Sequence, residues 1–229
     1  MSLKTCARIA GVLLLLSAIG GGLGEAYIPM KLMVAGNAAA TASNIRAADF
    51  VFRLGFAAYL IEGLCDVALA WLFYLLLRPV REDLALLAAF FGLVSTATFA
   101  VCELFYLAVS LVLKDAAYLQ SFTPDQRNTL AVLLLKAYSL GGGAFMAFYG
   151  VASLIRAYLM FRSGYIPRFI GVILGVAGAS FVVKTFTLVL APAYSSDVLL
   201  LPVFLSLVVM TGWFLVKGVD VALESAARG

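Results

Sequence analysis

The chain has 229 residues, 64% of them hydrophobic and 12% charged, with a mean hydropathy of +1.08; a soluble domain carries about half apolar and about a quarter charged residues, so that class is excluded. With no histidine, His-ligated haem, His-bound zinc or copper and imidazole general-base catalysis are excluded as well. The formal charge of +4 comes from basic residues that flank apolar runs, a membrane-orienting pattern unlike a nucleic-acid patch.

In chain order, Lys4 and Arg8 precede an apolar run that ends in Gly20, Gly21, Gly22 and Gly24. A secretory signal peptide has the same form. An uncleaved first span over residues 9–24 is preferred because it completes an even helix count, with the glycines as a close-packing patch at its outer end. Residues 25–49 form the longest connection, in which the Ala-rich stretch 37–49 predicts a short interfacial helix that Asn44 either caps or ties into the bundle.

Residues 50–78 form the second span, long enough to cross a bilayer at about 1.5 Å per residue. It carries Arg53, Glu62 and Asp66. Glu62 and Asp66, four apart, share a helix face continued by Tyr59 and Gly55, and carboxylates at this depth must face protein. Pro79 ends the helix in a turn containing Arg78 and Arg81. The third span, residues 84–113, carries Thr96, Cys102, Glu103, Tyr106 and Ser110.

After a polar loop, Thr123 and Pro124 signal a helix start. The fourth span, residues 129–155, contains Lys136, Tyr138, the triplet Gly141, Gly142, Gly143, and Tyr149. Arg156, Arg162 and Arg168 with Tyr158 and Tyr165 are assigned to the next turn. The fifth span covers residues 169–191 and includes Lys184, and the sixth covers residues 198–216. Cys6, Cys65 and Cys102 lack CxxC spacing and read as packing residues.

The expected fold is therefore all-α: one integral membrane domain over residues 1–229, a six-helix transmembrane bundle. Lys4, Arg8, Arg78, Arg81, Arg156, Arg162, Arg168, Lys217 and Arg228 fall on one side, against Lys31, Arg46, Arg53, Lys114 and Arg127 on the other. The basic excess predicts that both termini are cytoplasmic.

The stretches ARIAGVLLLL, NIRAADFVFRLGF, CDVALAWLFYLLLRPV and GWFLVKGV resemble the bacterial multi-pass membrane proteins of domain of unknown function family 4386. The resemblance spans nearly the whole chain and implies an uncleaved first helix and a bacterial cytoplasmic membrane location. It supplies no activity and no catalytic residues. The family pattern also places an acid early in the last span, where residues 202–210 here offer Ser206 as the one polar side chain.

Counted from the outer ends at about 1.5 Å per residue, Lys136 lies about 9 Å deep, Lys184 about 12 Å and Glu62 about 14 Å, with Glu103 nearer the outer interface and Asp66 past the midplane. These overlapping depths predict one shared polar cluster of Arg53, Tyr59, Glu62, Asp66, Glu103, Tyr106, Lys136, Tyr138 and Lys184. One reading is an outward-facing polar cavity that binds or transports a small solute or ion, with protons passing through Glu62 and Asp66 and the glycine triplet as a bending point. The alternative is a set of structural charges that fix helix packing, with Lys136 or Lys184 snorkelling to the interface. Enzymatic use of paired carboxylates is the weakest reading, since one turn of one helix offers no second acid motif. The sequence contains no metal spacing, phosphate loop or nucleotide fingerprint. The expected partners are the lipid bilayer and a small solute or ion, with no cofactor, no haem and no nucleic acid, and nothing in the sequence requires an oligomer.

Overall fold

The computed structural model describes residues 1–219; Arg228, counted above among the basic residues, lies outside them. The regular structure is helical: α1 (Leu3–Leu32), α2 (Ala38–Ala47), α3 (Asp49–Leu77), α4 (Glu82–Leu113), α5 (Pro124–Arg162), α6 (Arg168–Leu190) and α7 (Leu201–Val216), the last preceded by a 3₁₀ turn at Asp197–Leu200. Six of these, all but α2, are long and apolar enough to cross a membrane when α7 is taken with its 3₁₀ turn. The chain is an all-α, multi-pass membrane protein.

Local chemistry sets several boundaries. Ser2 caps α1 by accepting the Thr5 N–H at 3.2 Å. Thr123 and Gln126 form a reciprocal capping box at α5, with Pro124 in the first turn. Asn37 caps α2, accepting the Ala40 N–H at 2.9 Å, while Asn44 Nδ2 donates to the Leu32 carbonyl at 3.2 Å. Asn44 thus ties α2 to the end of α1, and the capping position falls seven residues earlier.

Two helices run further than the sequence suggested. α1 continues beyond residue 24 through a π-helical turn, Gly22–Tyr27, to Leu32. α5 continues beyond residue 155 to Arg162, because Arg156 is buried inside it and does not sit in a turn.

Each membrane helix packs chiefly on its neighbours in the sequence, and α7 closes back on α1. The six spans thus make a ring in chain order. Gly218 lies against Lys4 and Arg8, so the two ends of the ring meet on one face, called proximal below; the opposite face is distal. Because lipid tails are as apolar as leucine, helix association in a bilayer depends on close packing and polar ties, with little help from the hydrophobic effect. A proximal cluster including Leu14, Phe73, Leu76, Met160, Ile170 and Phe214 draws on α1, α3, α5, α6 and α7, with Ala85 from α4. A distal cluster including Ile28, Ile45, Phe52, Val109 and Leu135 joins α1 to α5 and takes nothing from α6 or α7.

The α1–α3 contact is made by glycines. A Cβ on Gly20 would stand 2.8 Å from the Ala58 carbonyl oxygen, and one on Gly24 2.7 Å from that of Gly55. A real Cβ cannot approach a backbone oxygen so closely, so only glycine lets the two backbones meet here. Gly24→Ala is expected to lower stability by about 1–3 kcal/mol. Gly22→Ala, whose Cβ would meet nothing within 4 Å, should stay within about 1 kcal/mol of wild type. Thermal unfolding in detergent measures both, and equal effects would contradict this packing.

Candidate functional site

Between the two apolar clusters lies a layer of polar side chains on α1, α3, α4 and α5. On α3, the face that carries Phe52, Gly55 and Tyr59 and continues to Leu69 and Phe73 is buried. Glu62 and Asp66 lie on that face, while Leu54, Ile61, Leu64 and Trp71 are exposed on the other. The ring therefore turns both carboxyls inward, where a membrane helix must hold them.

Each acid has a distinct neighbour. Ser17 of α1 donates its hydroxyl to Asp66 Oδ1 at 2.9 Å. Glu25, one turn on from Gly21 and brought round by the π-helical turn, lies beside Glu62 so that the two carboxyls interact directly. Gly21 is the adjoining position, where a Cβ would stand 2.9 Å from Glu62 Oε1. Glu62 Oε2 is buried and receives no N–H or O–H from the described residues. Two carboxyls held side by side favour sharing one proton, as in the aspartic-protease pair, because adjacent like charges resist ionising together.

Glu103 of α4 is 2% exposed and lies beside the Tyr138 hydroxyl of α5. Tyr106 donates to the Phe52 carbonyl at 3.0 Å and stacks on the Phe52 ring at 4.1 Å. The Tyr106 and Tyr138 rings meet edge to face at 5.4 Å, and Tyr59 packs edge-on against Phe99 at 5.0 Å. The acids are thus bordered by aromatic rings.

The basic partner is Arg156, which sequence reasoning had assigned to a turn. Its guanidinium lies 5.1 Å above the Phe73 ring and 5.9 Å from the centroid of the Tyr149 ring, and interacts electrostatically with Asp66. Gly92 of α4 makes room for it, since a Cβ there would fall 2.6 Å from Nη2. Nε is buried without a partner among the described residues.

The structure separates the other expected cations from the acids. Lys184 is buried along its stem, but its amine reaches Asp197 at 2.6 Å, in the segment leading into α7. Lys136 is exposed on the face of α5 that also carries Leu133 and Leu140. Arg53 pairs with Asp49 one turn away at 2.9 Å on the exposed start of α3. Long flexible stems let these side chains reach an interface and avoid the desolvation that pairing at depth requires.

The layer thus holds four carboxyls and one guanidinium. Glu25 adjoins Glu62, Asp66 lies by Ser17 and Arg156, and Glu103 lies by Tyr138; among the described residues no three acid or thiol groups converge as a metal cage. Gly141 packs against Cys102 and Gly143 against Leu188 within an unbroken helix. Ser95 donates to the Phe145 carbonyl at 3.1 Å and Thr185 to that of Gly143 at 2.8 Å. In this conformation Gly141 and Gly143 serve helix packing, while a Cβ at Gly142 would meet nothing within 4 Å.

Sequence reasoning missed Glu25, Ser17, Tyr149 and Arg156 as parts of this layer. A usable signal existed for Glu25: a run of glycines ending beside an acid and followed by the apolar Tyr27, Ile28, Pro29 and Met30. For Arg156 it was the pair of small residues, Ala152 and Ser153, one turn before it.

The sequence pattern of one family, Domain of unknown function (DUF4386), matches residues 9–218. The chain belongs to the DUF4386 family. No curated protein and no solved structure matches it. The match takes in five membrane helices of this DUF4386 member and α1 from residue 9 onward, with Gly20, Gly24 and Glu25 included.

If Arg156 balances Asp66, their mutational effects are coupled. Asp66→Asn and Arg156→Gln should each destabilise, and the double variant should be more stable than the sum of the two predicts by about 0.5–3 kcal/mol. Unfolding of the four proteins in one detergent measures the cycle, and strict additivity would separate the two residues.

Proposed function

We propose that this DUF4386 protein binds protons at the Glu25–Glu62 pair and couples them to the movement of a small solute or ion across the bacterial cytoplasmic membrane, with both termini cytoplasmic. The observation that carries this reading is the carboxyl–carboxyl contact between α1 and α3, remote from the lysines that could have neutralised it. An arrangement built only for stability would pair buried acids with bases. Here the one base buried in the layer, Arg156, stands by Asp66, and Glu25 and Glu62 are left to hold a proton or a cationic ligand.

Access from the distal, periplasmic side is supported by the asymmetry of packing. The distal cluster seals α1 to α5 but omits α6 and α7, whereas the proximal cluster draws on the whole ring. The basic residues of the proximal turns, Arg78, Arg81, Arg162, Arg168 and Lys217, favour the cytoplasm for that side. A purely structural role is the second reading, and the Ser17–Asp66 bond that clamps α1 to α3 favours it.

Purified protein in vesicles under an imposed membrane potential, with a pH-sensitive dye inside, distinguishes the two. Wild type is expected to carry a proton flux above protein-free vesicles. Glu62→Gln and Glu25→Gln should each reduce it at least tenfold while remaining folded, as expected when one member of a proton-sharing pair is removed. Wild-type flux equal to that of empty vesicles would assign the acids to packing.

A further inference from the structure

A cavity of about 300 Å³ opens on the proximal face, between the α3–α4 turn and the end of α5. It is distinct from the acid layer. Its wall includes Pro79, Arg81, Tyr158, Arg162, Ser163 and Tyr165.

Part of the polar wall is already committed. Tyr165 donates its hydroxyl to the Leu76 carbonyl at 2.7 Å. Ser163 donates to the Met160 carbonyl at 2.8 Å and accepts the Ile166 N–H at 3.2 Å. Arg81 uses Nε and Nη2 on Asp83, at 3.1 and 2.7 Å. Arg162 has no ion pair among the described residues; the basic members of the four pairs there are Arg53, Arg81, Arg127 and Lys184. What the cavity offers a ligand is the Arg162 guanidinium, the remaining edge of Arg81 and the Tyr158 hydroxyl, a set that suits the oxygens of a phosphate.

The approach to the cavity is apolar. Leu154, Tyr158 and Phe161 are all exposed on α5 at a spacing that makes one stripe along the helix. The stripe leads from the bilayer directly to Arg162. A soluble anion has no use for such a lane, whereas an acyl chain does.

We propose that this cavity holds the phosphate headgroup of an anionic phospholipid, with an acyl chain lying along Leu154, Tyr158 and Phe161. The volume is at the small end of ligand pockets, which suits a headgroup. Basic pockets at the membrane boundary gain about 1 kcal/mol per arginine from an anionic leaflet. The tyrosine supplies an amphipathic ring at headgroup depth.

Native mass spectrometry and thermal unfolding of the full chain in neutral detergent test the assignment with three probes: phosphatidylglycerol, phosphatidylcholine and inorganic phosphate. Phosphatidylglycerol should be retained and should raise the unfolding temperature, and phosphatidylcholine should do neither. Arg162→Gln, at an exposed position, should fold normally and retain phosphatidylglycerol about fivefold more weakly, the weight of one basic residue at an anionic surface. Arg162→Lys should recover part of that loss. Glu62→Gln should retain phosphatidylglycerol at the wild-type level, which separates this site from the proton-binding pair. Wild-type retention by Arg162→Gln, or equal retention of phosphatidylcholine, would overturn the site. Stabilisation by inorganic phosphate as strong as that by phosphatidylglycerol would overturn its assignment to lipid.

Discussion

A carboxyl group cannot face lipid tails without a cost of about 2.5–3.5 kcal/mol on insertion scales, and four of them occupy the interior of this ring. Much of the architecture answers that constraint. Glu62 and Asp66 turn the polar face of α3 inward, Glu103 does the same for α4, and α1 is drawn against α3 through backbone contacts that only glycine permits. The π-helical turn at Gly22–Tyr27 changes the register of α1 and gives Glu25 its position opposite Glu62. Such turns recur at functional sites because they re-aim side chains that a regular helix would point elsewhere.

The acid layer is closed more firmly on one side than on the other. Proximally, apolar side chains from the whole ring meet around Phe73 and Phe214, and the Arg156 guanidinium lies over the rings of Phe73 and Tyr149. Distally, α6 is held to the segment leading into α7 by the Lys184–Asp197 pair, while α2 is tied to α5 through Arg46 and Asn128 at 3.0 Å. The distal apolar cluster leaves α6 and α7 out, so the lower-stability side of the ring is where polar ties hold those two helices. Opening there is what the proposed proton-coupled role requires.

The membrane class, the spans and the inward face of α3 were legible in the sequence because apolar length and helical periodicity are local properties. Glu62, Asp66, Glu103 and Tyr138 could be placed in one layer from periodicity and depth alone. Glu25 could not, since a charge after a glycine run looks like the end of a helix, and a π turn leaves no signal in a 3.6-residue repeat. Arg156 was lost for the same reason: an arginine at the end of an apolar run normally marks the interface, and its burial depends on Gly92 and Phe73 from other helices. The lysines failed in the opposite direction. Overlap in depth along the helices suggested a shared cluster, but a four-carbon stem lets the amine act far from its own Cα.

Infrared spectroscopy of the folded protein tests the central claim most directly, because a protonated carboxyl has a C=O stretch that a carboxylate lacks. If Glu25 and Glu62 share a proton, wild type will show that band at neutral pH. Glu25→Gln and Glu62→Gln will each remove or shift it, and Glu82→Gln, on the exposed proximal turn, will leave it unchanged. Wild-type protein with every carboxyl ionised, or a band indifferent to both substitutions in the pair, would contradict the account.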